Sequence, residues 1–223
     1  TAGKWLGSGN CADRTDLEHP QEQLWRQAGE EDRSFAKLSA DKMIAVCVPT
    51  LGSTSMAWLA HALQLAPILA STGALLVAEG LEVGQARDQL ISTVLQMDPR
   101  PKYALFYGDD NLPPANGLQL IFESLIGSGA GASSGMYFMK QSPPDIPLLW
   151  RNDIAGPMLP GQDFQVGDIV QVDGTGLDFV IFETEFLEKV PRPRFRTVMD
   201  WIEGKGMVMQ TEDAYFWERW RGV

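Results

Sequence analysis

The chain has 223 residues, 44% of them hydrophobic and 21% charged, with a formal net charge of −11. That is long enough for a domain with a sizeable core, and too apolar for a disordered chain. The acidic balance argues against binding to nucleic acid or to an anionic membrane surface, although a metal ion could still bridge a small anionic substrate. The two cysteines, Cys11 and Cys47, are far apart, and the two histidines, His19 and His61, are isolated, so neither pair has metal-ligand spacing. A reduced, cytoplasmic protein is the simpler expectation, with one disulfide as the alternative.

Residues 1–41 are polar and mixed in charge. They read as an extension packed on the domain, with a helix over 13–29 anchored by Leu17, Leu24 and Trp25. The domain itself is expected over 42–223, divided into halves at 42–140 and 141–223. No Asp, Glu, Lys or Arg occurs over 43–78. A transmembrane helix needs about 20 predominantly apolar residues. Pro49, Gly52, a Ser-Thr-Ser run, His61 and Gly73 interrupt this gap, so a buried strand, a helix and a second buried strand explain it better than a membrane span.

The strand is expected over 43–48 and closes at Pro49. Ser53 or Ser55 can cap a helix through about residue 69, with Leu59, Leu63 and Ala66 on one face. A second strand covers 74–78. Val83, Ala86, Leu90, Val94 and Met97 then recur at helical spacing. Residues 103–107 form a third strand, Pro113-Pro114 leads into a helix with Leu118, Ile121, Phe122 and Leu125 inward, and 130–138 returns as a strand. This alternation predicts an α/β fold, a mostly parallel sheet with helices on both faces. Ligands in such sheets sit beyond the carboxyl ends of the strands. Residues 141–165 are proline-rich and aperiodic. Residues 169–183 read as strand broken by Gly174-Thr175-Gly176, 186–190 as a short helix end, and Thr211 as the cap of a last helix starting at Glu212.

Asp109 and Asp110 fall at the end of the third strand. Gly108-Asp109-Asp110-Asn111 is good turn chemistry. Two adjacent carboxylates also repel each other, and a divalent cation with a taste for oxygen ligands relieves that repulsion. Turn and metal site are both open on these residues alone. Tyr107-Gly108-Asp109-Asp110 also resembles the catalytic turn of viral RNA-dependent RNA polymerases, but there a strand returns, whereas here two prolines and a helix follow.

The segments taken in order resemble a glycosyltransferase of the GT-A (Rossmann-like) fold, most like bacteriophage and other microbial members. The strand over 43–49 looks like the family's first strand. Gln85-Ala86-Arg87-Asp88 is similar to its Ala-Arg-Asn signature, and residues 106–114 to its Asp-rich metal segment. Asp173-Gly174-Thr175-Gly176 is similar to its glycine-containing strand, and Thr211-Glu212-Asp213 to its Thr-Glu-Asp helix start. The resemblance implies an inverting, hexosyltransferase-like enzyme using Mn2+ or Mg2+, a nucleotide-diphosphate sugar donor and an acceptor hydroxyl of unstated identity.

In this reading Asp110 is the metal ligand, and Asp109 touches the nucleotide ribose or a metal-bound water. Pro49 and Arg87 contact the donor, Arg87 at the diphosphate; the alternative for Arg87 is a surface helix position. Gly174 and Gly176 let the backbone approach a sugar closely, or else mark a bulge. Asp213, beside Glu212, is the general base; the alternative is that both acids only complement the helix dipole. The family often has Asp where Gly108 stands. Its members commonly continue to a metal-binding histidine, whereas here no histidine follows His61. The rival expectation is therefore a non-catalytic GT-A-like binding or structural module. A sugar nucleotidyltransferase is more distant, because Leu51-Gly52-Ser53-Thr54-Ser55 carries no basic residue.

Overall fold

The computed structural model describes residues 44–71, 73–136, 138, 146–152, 156–165, 167–204 and 206–223. The extension over 1–41, and the helix expected within it, lie outside them. The charge gap resolves into strand, helix and strand: β1 (Ile44–Thr50), α1 (Met56–Ser71) and β2 (Gly73–Glu79). Ser55 caps α1, its Oγ accepting the Trp58 N–H at 3.0 Å. Among the described residues no helix is long and apolar enough to cross a membrane.

The face that α1 turns inward differs from the expected one. Leu59, Leu63 and Ala66 are exposed, while Trp58 and Ala62 pack against the core. Side-chain bonding sets this rotation. The Trp58 indole N–H donates to the Gly108 carbonyl at 2.8 Å, its ring lies 5.2 Å from that of Tyr107, and His61 Nδ1 is 2.7 Å from the Tyr107 hydroxyl. Residues 58, 61 and 62 share one helical face, so these contacts act together.

Next come α2 (Val83–Gln96), β3 (Tyr103–Tyr107) and α3 (Gly117–Ser128). The Glu82 side chain accepts the Gln85 N–H at 3.0 Å to start α2. The inward residues expected for α3, Leu118, Ile121, Phe122 and Leu125, are all buried. After β4 (Ala132–Ser134), shorter than the strand expected over 130–138, the chain passes through β5 (Leu149–Trp150) and β6 (Gly174–Thr175). It then forms β7 (Phe179–Glu183), α4 (Thr184–Lys189), the hairpin β8 (Val198–Ile202) and β9 (Gly206–Gln210), and α5 (Glu212–Trp220). The single broken strand expected over 169–183 is thus two separate pieces, β6 and β7, in different sheets.

The main sheet has the order β2-β1-β3-β7-β4. β1 pairs in parallel with β2 and β3, whereas β7 is antiparallel to both β3 and β4. The sheet is therefore mixed, and the parallel arrangement that the alternation predicts stops at β3. Among the described residues no helix lies between β4 and β7, so no crossover helix obliges β7 to run with its neighbours.

Alternate strand residues feed two apolar layers. Ala45, Cys47, Ala104, Phe106, Val180 and Phe182 face α2, α4 and α5. Ile44, Val46, Tyr103, Leu105 and Tyr107 face α3 and α1. Cys47 is a free buried thiol, and burial pushes its pKa up to about 12. Phe182 is fully buried and its ring lies between 5.4 and 5.9 Å from those of Phe106, Phe216, Trp217 and Trp220. Phe182→Ala should cost about 3–5 kcal/mol, read as a lowered midpoint in urea at unchanged slope.

Candidate active site

β1 and β3 end side by side, and the loops leaving them form one wall of a cleft of about 260 Å3. Pro49 from β1, and Asp109 and Asp110 from the loop after β3, line that wall. Arg87 of α2, Asp178, which immediately precedes β7, and Glu212 and Asp213 of α5 line the same cleft. Residues distant in sequence thus meet at the carboxyl end of the parallel strands, where α/β sheets bind ligands. Six residues singled out from the sequence lie here: Pro49, Arg87, Asp109, Asp110, Glu212 and Asp213.

The strand-end turn is fixed by side chains as well as by backbone. The Asn111 N–H donates to the Gly108 carbonyl at 3.2 Å, as a turn requires. The Thr50 hydroxyl donates to Asp109 Oδ2 at 2.5 Å, and the Thr54 hydroxyl donates to the Asp109 carbonyl at 2.9 Å. Asp109 therefore faces β1, where a ligand crossing the two strand ends would lie. The turn and the acid cleft coexist; neither reading of Asp109-Asp110 displaces the other.

Arg87 is 1% exposed, which removes the surface-arginine alternative. It sits on the inward stripe of α2 with Ala86, Leu90 and Val94, and its guanidinium lies 5.8 Å from the Phe106 ring centre. Nη1 donates to Glu212 Oε1 at 2.6 Å and to Asp213 Oδ1 at 2.9 Å, and Nη2 donates to Asp178 Oδ1 at 2.5 Å. Both terminal nitrogens are thus engaged by carboxylates. In this geometry Arg87 is a hub that gathers three acids. Its neighbour Asp88 works outside the cleft, accepting the Arg194 backbone N–H at 3.1 Å.

α5 supplies two of those acids from its first turn. Thr211 occupies its cap position but makes no side-chain capping bond. Glu212 and Asp213 complement the helix dipole and bind Arg87 at once, so the dipole role is real and not the whole of their role. Burial pushes the Asp213 carboxyl up to about 7; Arg87 pulls it down, and the nearby Glu212 and Asp178 charges push it up. An acid titrating near neutrality in a cleft is suited to proton transfer.

Asp178 was not singled out from the sequence. A lone acid in the apolar run 177–182 reads as an outward strand position, and only its partner Arg87, 91 positions away, reveals it. Gly174 and Gly176 do not line the cleft. Gly174 is buried against Trp150, where a Cβ would intrude on the indole, so its smallness answers to β5–β6 packing. Gly176 donates its N–H to the Leu148 carbonyl at 3.3 Å. A larger hollow, of about 500 Å3, opens beside this ribbon and is lined by Arg151, Asn152, Asp163 and Gln171 among others.

Oxygen donors of the kind that hold Mg2+ or Mn2+ line the cleft, five carboxylates against one guanidinium among the described residues. No group of three or more His, Cys, Asp or Glu close enough to form a ready-made cage occurs among the described residues. The donor set fits an ion held by two carboxylates and completed by water and ligand oxygens, not an all-protein site. No protein-family model matches the chain, and no curated protein matches it significantly.

Because Asp213 binds its proton more tightly folded than unfolded, folding takes up a proton between pH 3.8 and about 7. This group's contribution is full below that window and is lost as pH rises through it. Arg87→Gln removes the cation that offsets the acids. It should cost about 3–5 kcal/mol at pH 8 and distinctly less at pH 5, measured by denaturant titration at both.

Proposed function

We propose that this chain is a GT-A-like glycosyltransferase that moves a sugar from a nucleotide-diphosphate donor to an acceptor hydroxyl with inversion. The observation that carries this reading is the convergence of Pro49, Asp109, Asp110, Glu212 and Asp213 on one cleft at the ends of β1 and β3. These come from separate segments that resemble the family in order, and a chance resemblance gives no reason for them to share a cleft.

In this mechanism the donor nucleotide lies across the ends of β1 and β3, against Pro49 and Asp109. Asp110, with Asp109, would hold Mn2+ or Mg2+, which when bound neutralises charge on the diphosphate. The acid excess makes such a cation necessary, because an anionic donor would otherwise meet five carboxylates. Asp213 takes the proton of the acceptor hydroxyl as that oxygen attacks the anomeric carbon. The bond from that carbon to the diphosphate oxygen breaks with its electron pair leaving on the diphosphate. One displacement inverts the carbon. Arg87 holds Glu212 and Asp213 in place for this step. The hollow beside β5–β6 lies in the half of the chain assigned to the acceptor.

Thermal-shift measurements with nucleoside diphosphates and nucleotide sugars, with and without Mn2+, test the reading. Metal-dependent stabilisation by at least one of them is expected, and its absence across the panel counts against the transferase. Asp110→Ala should remove the metal-dependent part. Asp213→Ala should keep donor binding and lower transfer by about 10²–10⁴-fold. Donor binding without transfer in the unmodified chain would instead identify a binding module. For the active enzyme, kcat/KM should fall about tenfold per pH unit below the Asp213 midpoint of about 7, because only the carboxylate accepts the proton.

A further inference from the structure

Asp178 is held in the cleft by its backbone and by its packing on Gly108. Its carbonyl accepts the Gly108 N–H at 2.7 Å, extending the β3–β7 ladder one step past Tyr107 and Phe179. Its side chain lies over Gly108. A Cβ at 108 would stand 2.9 Å from the Asp178 Cβ and 3.2 Å from its Oδ1, so any other residue there would displace it. The carboxylate, with 36% of its side chain exposed, is turned to Arg87 Nη2.

The guanidinium is thereby divided. Nη2 goes to Asp178, while Nη1 is shared between Glu212 at 2.6 Å and Asp213 at 2.9 Å. Asp213 has the longest of the three contacts. We infer that Asp178 is a positioning residue that draws Arg87 away from Asp213, leaving the base a shared cation instead of one of its own. A carboxylate with its own guanidinium would be a weak base, because the cation stabilises its ionised form. Among the described residues, the charged groups that face Asp213 are Arg87 from α2, Glu212 from its own helix and Asp178 ahead of β7, with Asp109 and Asp110 lining the same cleft.

This inference rests on the base assignment in the proposed function, but its test does not require transfer to be observed. Carbon-13 carboxyl NMR of the full chain follows the titration of Asp213, its resonance assigned by its disappearance in Asp213→Asn. In Asp178→Ala, which removes the acceptor for Arg87 Nη2, the Asp213 midpoint should fall by about one pH unit or more, and further than in Asp178→Asn, which removes the charge but keeps an acceptor oxygen. The acid limb of any pH–rate profile should move with it. A merely structural Asp178 would lower the melting temperature and leave the midpoint where it is; an unchanged midpoint, or one that falls equally in both variants, overturns the inference. If Asp178→Asn does not fold, Asp178→Ser is read in the same way. A shifted midpoint in a chain that never transfers sugar sustains this inference and removes the transferase; transfer with an unmoved midpoint does the reverse.

Discussion

One buried guanidinium with three carboxylates around it is the constraint on which the cleft depends. Arg87 comes from α2, Asp178 from the approach to β7, and Glu212 and Asp213 from the start of α5. A buried arginine is costly unless it is paired and hydrogen-bonded, so α5 and the β7 lead-in must close on α2 for the fold to be stable. The same closure leaves more negative than positive charge. Burial first, and that excess after it, raise the proton affinity of Asp213. Structural necessity and chemical character thus share a cause.

The apolar packing places this group where it matters. α2 lies against β1 and β2, and α5 lies on the same layer beside β7 through Phe216 and Trp217. Trp217 is fastened by its indole N–H to the Thr175 carbonyl at 2.5 Å, which couples α5 to the β5–β6 ribbon. Phe195 stacks on Phe216 with centres 4.6 Å apart, and the Asp88–Arg194 contact secures the same segment to α2. The first turn of α5 therefore points its acids at Arg87 because its later turns are locked into the core.

The strands and helices over 44–128 were legible because each carries its own local signal: a short apolar run, a helical stripe, a proline or glycine stop. The inward stripe of α3 follows from spacing alone. That of α1 does not, since Trp58 and His61 are chosen by partners on β3 rather than by hydrophobicity. Beyond β4 local signals weaken. In the β8–β9 hairpin, Met199, Trp201, Met207 and Met209 share one exposed face, and Val198, Val208 and Ile202 add apolar residues to the other. With no clean alternation, the hairpin left no periodic trace in the sequence. Six of the cleft's lining residues, Pro49, Arg87, Asp109, Asp110, Glu212 and Asp213, were readable from residue types taken in order. Asp178 and the engagement of Arg87 were not, because both are set by pairing across the sheet.

The pairing of β4 with β7 has a consequence for how such a chain can vary. The chain leaves the main sheet after β4 and rejoins it at β7, the strand next door. The two ends of that excursion are pinned side by side by the sheet itself. Lengthening a loop between fixed ends costs little, about 0.6 kcal/mol for each doubling. Its contents can therefore be rewritten as a cassette while β3, β7 and the acids at their tips keep their register.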